Sequence, residues 1–304
     1  NPDVFDATHR LIVEQIRDGV LDGLRIDHPD GLADPEGYLA RLAEVTGGAW
    51  VVVEKILESG EALPADWQTA GTTGYDALNR VLGLFVDPAG EQPLTDLWVQ
   101  ETGSRLSYWQ VVDVTKHLVL NQVLVAEVNR LTEVGLGVCR TDPVLRDTTR
   151  RAFREGLVEL LASFGVYRAY LPPAGPADDD ACRQMASAVD AATARVPGRA
   201  REIALVARLA LAQGPSGGSA QEFVTRFQQT CGPVMAKGVE DTAFYRYLRL
   251  AALNEVGGDP GRFGLPVAEF HQACVAQQAD WPLSQTTLST HDTKRSEDVR
   301  ARLV

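Results

Sequence analysis

No apolar run in this 304-residue chain approaches the roughly 20 residues a membrane-crossing helix needs, so a helical span is excluded. The N-terminus lacks the basic-then-apolar pattern of a secretory leader, and a cytoplasmic location is the expectation. Positive charge is in short supply: 29 Lys and Arg against 41 Asp and Glu leave a formal net charge of −12. Phosphate contacts need the opposite sign, so nucleic acid is not an expected partner, whereas an uncharged substrate suits such a surface. Cys139, Cys182, Cys231 and Cys274 are scattered with no C-x-x-C pair, which supports neither a zinc site nor a disulfide framework. No His, Asp and Glu cluster at ligand spacing stands apart from the acids discussed below, so no metal and no cofactor is expected. What the chain does have is 45% hydrophobic residues, enough for a large core.

Coarse periodicity gives the organisation. Leu11, Ile12, Ile16, Val20 and Leu21 recur at helical spacing behind Asp6, a candidate cap, and Gly19 and Gly23 mark the end of that helix. Leu24 and Ile26 enter a strand, and Pro29-Asp30-Gly31 turns the chain away. Asp34-Pro35 starts the next helix, Gly47-Gly48 stops it, and a strand over 50–54 follows, the alternation of parallel βαβ units. From 76 to 163 the pattern is mostly helical, with continuous periodicity over 111–131 and another amphipathic run over 147–164. Val166–Leu171, closed by Pro172-Pro173, is a candidate further strand. Asp178-Asp179-Asp180 reads as the solvated start of a helix, and Pro215–Ser219 as a joint between two helices. The chain opens Asn1-Pro2-Asp3 with no Met and its first helix feeds directly into a catalytic-looking strand, so it is expected to be a piece of a longer protein.

Three apolar runs end in carboxylates: Leu24-Arg25-Ile26-Asp27-His28, Val51-Val52-Val53-Glu54 and Leu288-Ser289-Thr290-His291-Asp292. Breaking a glycosidic acetal needs a proton on the departing oxygen and stabilisation of positive charge at the anomeric carbon, hence two carboxyl groups in opposite protonation states. Arg25 shares a strand face with Asp27 and would keep it ionised, as a nucleophile must be. Glu54 ends a strongly apolar run, where desolvation would raise its pKa and suit it to be the acid. Asp292, beside His291, is a candidate for gripping sugar hydroxyls. Any one such acid is more often a helix cap or an ion-pair partner; the conjunction of three carries the reading.

The sequence resembles the α-amylase-like (β/α)8-barrel enzymes and, more narrowly, the trehalose-forming maltooligosyltrehalose synthases. GLRIDHPDGLADPEGY (23–38) is similar to the family's fourth-strand segment and implies Asp27 as nucleophile with Arg25 and His28 beside it. VVVEKIL (51–57) looks like the fifth-strand segment and implies Glu54 as acid/base. LSTHDTKRSEDVRARL (288–303) looks like the seventh, with Asp292 as third acid and His291 adjacent. GTTGYD (71–76), VYRAY (166–170) and VMAKGVEDTAFYRY (234–247) agree as well, and the subgroup-specific stretches make Tyr75, Lys237, Glu240 and Lys294 candidates for binding hydroxyls of the mobile glucose, although Glu240 and Asp241 before Phe244-Tyr245 read equally as first-turn acids of a helix. Tyr245 and Tyr247 are either stacking platforms or core.

The resemblance implies an α/β fold: part of a (β/α)8 TIM barrel, about strands 4 to 7, with a large helical insertion. The expected division is 1–75 barrel, 76–231 mostly helical insertion including the candidate strand near 166–171, and 232–304 barrel again; the family's strands one to three and eight fall outside the chain. The implied reaction converts the reducing-end α-1,4 bond of a maltooligosaccharide to an α,α-1,1 bond, without cofactor, and feeds a trehalose-releasing hydrolase. An α-1,4-glucan hydrolase or transglycosylase on the same barrel, or a non-catalytic glucan-binding module, are the competing readings.

Overall fold

The computed structural model describes residues 1–171 and 177–304. Among these, one three-stranded parallel sheet and twelve α-helices form a mostly helical α/β structure. The first part alternates as α1 (Pro2–Arg17), β1 (Gly23–Ile26), α2 (Pro35–Thr46), β2 (Trp50–Val53) and β3 (Gly71–Thr72). The helical part runs α3 (Tyr75–Phe85), α4 (Glu91–Thr102), α5 (Tyr108–Gln122), α6 (Val125–Arg140), α7 (Arg150–Ser163), α8 (Asp179–Arg195), α9 (Ala200–Ala210) and α10 (Gly218–Met235). Then come α11 (Val267–Asp280) and α12 (Glu297–Leu303).

The helix–strand alternation follows its end signals. Asp34 caps α2 by accepting from Gly37 N, with Pro35 at the first helical position, and Gly47 ends the helix with φ 70°. Asp178 likewise caps α8, accepting from Ala181 N at 2.7 Å. Asp6 is not a cap: α1 begins four residues earlier, where Asn1 accepts from Asp3 N and Pro2 opens the helix, and Asp6 pairs instead with Arg41 at 2.6 Å. Val51, Val52 and Val53 are almost wholly buried, and Val51 and Val53 pack with Leu39 and Leu42 of α2.

Strand order is β1-β2-β3, all parallel, with Ile26 opposite Val53 and Val53 opposite Thr72. The third strand is not among those expected, because two residues, Gly-Thr, carry no period-two pattern to read. Conversely, 166–171 and 288–292 are not strands. Val166, Tyr167, Arg168 and Ala169 are buried and irregular, their backbone unpaired to any strand, and Pro172-Pro173 lie outside the described residues. Around 290 the chain turns, Thr293 Oγ1 donating to Thr290 O at 2.8 Å.

The run over 111–131 is two helices, broken between Gln122 and Val125. Its periodicity is continuous because Val119, Leu120, Leu124, Val128 and Leu131 on both sides of the break enter one core, shared with Phe153, Leu157, Leu161, Phe223 and Phe227. A satellite core of Ile56, Tyr75, Tyr108, Tyr167, Phe244 and Tyr247 links this helical layer to the sheet.

The segment before α12 is held against β3. Thr72 N donates to Ser284 Oγ at 3.0 Å and Gln285 N donates to Thr72 O at 3.2 Å. Gly74 permits this approach: its φ is +93°, and a Cβ there would meet Gln285 O at 2.7 Å and Thr287 N at 2.8 Å. Gly74→Ala combines a left-handed backbone with a clash on backbone atoms that have no free rotamer. It is expected to cost about 2–3 kcal/mol, read as a lowered midpoint in denaturant unfolding, and an unchanged midpoint would refute the close approach.

Candidate active site

The register of the sheet builds the site. Ile26 and Val53 are partners, so the next residues, Asp27 and Glu54, emerge level at the same end of adjacent strands and, by the two-residue side-chain period, toward the same face. Glu54 N donates to Ile26 O at 2.8 Å, extending the pairing to the point where the acids project. Arg25 then links them: its Nε donates to Asp27 Oδ1 at 2.6 Å and its Nη2 lies 3.9 Å from Glu54 Oε1. One guanidinium therefore spans both carboxyl groups.

The two acids differ in surroundings. The Asp27 side chain is 59% exposed, that of Glu54 only 19%. Burial pushes the Glu54 carboxyl above the usual carboxylate range, the His28 N–H and Arg25 oppose that, and the negative charges of Asp27 and Asp292 reinforce it. His28 reaches Glu54 through its main chain, N to Oε2 at 2.9 Å; its ring lies toward Gly31 and Gly232. Tyr75 opens α3 almost fully buried, its hydroxyl 2.9 Å from Thr290 Oγ1. Burial raises the Tyr75 phenol, the charges of Glu54 and Asp292 push it the same way, and its hydrogen bonds to Thr290 and Arg25 oppose. His291 Nε2 is 3.1 Å from Asp292 Oδ2, both side chains open to solvent.

A second group lies where α10 continues into one π-helical turn, Ala236–Glu240. Lys237 Nζ donates to Asp241 Oδ2 at 2.7 Å and Lys294 Nζ to Asp241 Oδ1 at 3.0 Å, with Lys294 also 3.9 Å from Glu240. Glu240 is not a first-turn acid of a helix. It ends the π turn, accepts from the Tyr167 hydroxyl, and burial pushes it up to about 7, Tyr167 and Lys294 opposing. Tyr247 is core, packed on Tyr108 and Trp98, while Tyr245 is exposed.

Thus Arg25, Asp27, His28, Glu54 and Tyr75 are gathered around the strand ends with Asp292 close enough to act through its charge, and Lys237, Glu240 and Lys294 form a neighbouring cluster joined through the 290–294 turn. The set has no metal-ligand geometry: among the described residues no three His, Cys, Asp or Glu side chains converge as a metal site.

No family model matches the chain. A Mycobacterium tuberculosis protein named as a maltooligosyl trehalose synthase is 41% identical over 305 residues, 99% of this chain and 37% of that protein. The solved structure of maltooligosyltrehalose synthase from Arthrobacter ramosus superposes over 100% of this chain and 37% of its own, with 44% identity and a TM-score of 0.87. A glycosyltrehalose synthase from strain DSM5389 does so at 34% identity and TM-score 0.77, covering 100% of this chain and 35% of its own. The chain belongs to the maltooligosyltrehalose synthase family. It spans 37% of the length of the curated relatives it matches.

Two residues that shape this site, Glu255 and Asp241, carry no functional signal in the sequence. Glu255 is fully buried and accepts from Lys294 N at 2.7 Å, Arg295 N at 3.1 Å and Arg300 Nη1 at 3.0 Å, fixing the turn that presents Asp292 and Lys294. It sits in a loop with no motif around it. Asp241 joins two lysines that lie far apart in sequence, which only the fold reveals.

Proposed function

We propose that this chain carries the catalytic acids of an enzyme that isomerises the reducing-end α-1,4 bond of a maltooligosaccharide to an α,α-1,1 bond by retaining double displacement. The observation that carries this reading is the Arg25 guanidinium shared by Asp27 and Glu54 at level strand ends. The fold belongs to the same proposal. The three parallel strands, with 284–285 hydrogen-bonded to the third, are read as consecutive parts of a (β/α)8 barrel, whose strand ends are where such enzymes keep their acids. The division into 1–75, 76–231 and 232–304 is retained. So are a cytoplasmic location and a separate hydrolase that releases trehalose from the product, the latter because a glycosylated trehalose has no reducing end for further reducing-end chemistry.

Asp27 attacks the anomeric carbon of the penultimate glucose as Glu54 protonates the departing O4 of the terminal glucose. Arg25 pairs with Asp27 at 2.6 Å, and the buried Glu54 keeps its proton more readily than an exposed acid. The released glucose turns within the site and presents its anomeric hydroxyl to Glu54, now a carboxylate, which removes the proton as that oxygen attacks the glycosyl ester. Two inversions return the α configuration. Water competes for the ester, so holding the glucose in place favours transfer by effective molarity.

Lys237, Glu240 and Lys294 are assigned to hold that glucose, with Tyr75 at its edge. Lys294→Met is expected to raise glucose release relative to transfer by about 3- to 10-fold, because the loose acceptor loses its advantage over water. Quantifying glucose and non-reducing product from maltopentaose checks this, and an unchanged ratio would remove Lys294 from the role. The same chromatogram on the whole unmodified protein tests the function itself: a non-reducing product supports isomerisation, new reducing ends make the protein a hydrolase, and binding without turnover makes it a glucan-binding module.

A further inference from the structure

The loop after Asp27 is folded in a way its own residues do not favour. His28 sits at φ 47°, ψ 52°, a left-handed conformation rare for a residue with a side chain, and Pro29 follows it directly. Such a conformation persists only where the surroundings over-determine it. The determinants lie about 140 and about 200 residues further along the chain. Arg168, 2% exposed, donates through Nη1 to Asp30 O at 2.6 Å and Leu32 O at 2.5 Å, and through Nη2 to Ala33 O at 3.1 Å. Its Nε is anchored on Gln228 Oε1 at 3.0 Å, and the neighbouring Gln229 of α10 takes the remaining carbonyl, Gly31 O, at 2.8 Å. Four successive carbonyls of the loop, 30 to 33, are thus held by two elements that lie outside the sheet. The Asp30 side chain is tied down separately, by the Tyr170 hydroxyl and by buried Lys55 at 3.5 Å.

The left-handed turn has one evident product. It aims His28 N–H at Glu54 Oε2, 2.9 Å away. A loop that merely reversed direction could do so in ordinary right-handed or extended conformations, without spending a buried guanidinium on main-chain oxygens. We propose that Arg168 is a positioning residue for the acid–base step, clamping residues 30–33 so that the main-chain N–H of His28 stays on the Glu54 carboxylate. This rests on Glu54 being the acid/base. It also gives the buried, irregular VYRAY segment a role, since that segment carries the helical layer's grip on the catalytic strand end.

The consequence is readable in the pH profile. Glu54 is faced by the His28 N–H, Asp27 and Arg25 at the end of β1, by Asp292 from the 290 turn, and by Tyr75 from α3. Of these, the N–H and Arg25 favour its ionised form. Loosening the clamp withdraws the N–H, so Glu54 holds its proton to higher pH, and the alkaline limb of kcat/KM, which reports loss of that proton, moves up.

The deciding variant is Arg168→Lys in the whole protein, which keeps a buried positive charge but has no planar fork to span three carbonyls. Expected is a fall in kcat on the order of tenfold with little change in KM, and an alkaline limb displaced upward by about one pH unit. A folded variant whose limb stays where it was would overturn the proposal, leaving Arg168 a structural residue only. If Arg168→Lys does not fold, Gln229→Met removes one of the same loop bonds at a half-buried position: a smaller upward displacement supports the clamp and an unmoved limb overturns it. Glu54→Gln, assayed alongside, separates the two ideas, because full turnover in that variant contradicts the acid/base reading itself.

Discussion

Asp27→Asn in the whole protein is expected to lower turnover by on the order of 10⁴-fold or more while leaving oligosaccharide affinity within a few-fold of the parent. The amide is nearly the same size, and the side chain stands 59% exposed with Arg25 as its one close partner among the described residues, so folding has little stake in the charge. In the proposed mechanism catalysis depends on it entirely, since an amide cannot form the glycosyl ester. A secondary effect follows from the shared guanidinium. Without Asp27, Arg25 turns wholly to Glu54, and Glu54 also loses a neighbouring negative charge that raises it. Both changes favour the Glu54 carboxylate, so the alkaline limb of any residual activity moves to lower pH. Steady-state kinetics with maltopentaose, together with calorimetric titration of binding, check the two halves. A near-normal rate would remove Asp27 from the mechanism.

Glu54→Gln is the second large effect, and it differs with the leaving group. With a maltooligosaccharide the departing O4 needs a proton, and loss of the acid is expected to lower turnover by about 10³-fold. With maltosyl fluoride the leaving group departs without one, so formation of the glycosyl ester persists and only its resolution, which needs Glu54 as base, is slow. In the proposed mechanism the parent pH profile reports the same carboxyl group. Burial and the charges of Asp27 and Asp292 raise Glu54, so Asp292→Asn removes one of those charges and is expected to move the alkaline limb downward. An upward move would place Asp292 elsewhere than beside Glu54.

The strand acids are legible in the sequence because β-branched and apolar runs announce strands, and the residue that ends a strand is fixed by where the run stops. Asp27 and Glu54 need only that. The helix boundaries with Asp34-Pro35 and Gly47 are legible for a similar reason, each being a residue type with a preferred backbone geometry. The third strand is not, since Gly71-Thr72 owes its place to Gly74 and to the 284–287 segment more than two hundred residues away. The error at 166–171 has the same origin in reverse. Val166, Tyr167, Ala169 and Tyr170 are as β-like as any strand, but they are buried by side-chain duties: Tyr167 on Glu240, Arg168 and Tyr170 on the 30–33 loop. His28 is expected beside the nucleophile as a side chain and contributes to Glu54 as a main-chain donor, a distinction no sequence pattern encodes. Lys237, Glu240 and Lys294 do meet, yet Asp241, which joins the two lysines, looks in the sequence like part of a helix start.

The most direct measurement is peptide mapping of the intact Glu54→Gln protein after incubation with maltosyl fluoride. A covalent maltosyl adduct is predicted on the peptide containing Arg25-Ile26-Asp27, with fragmentation placing the mass on Asp27. An adduct on any other residue, or rapid release of fluoride with β-configured product and no adduct, would contradict a double displacement through Asp27.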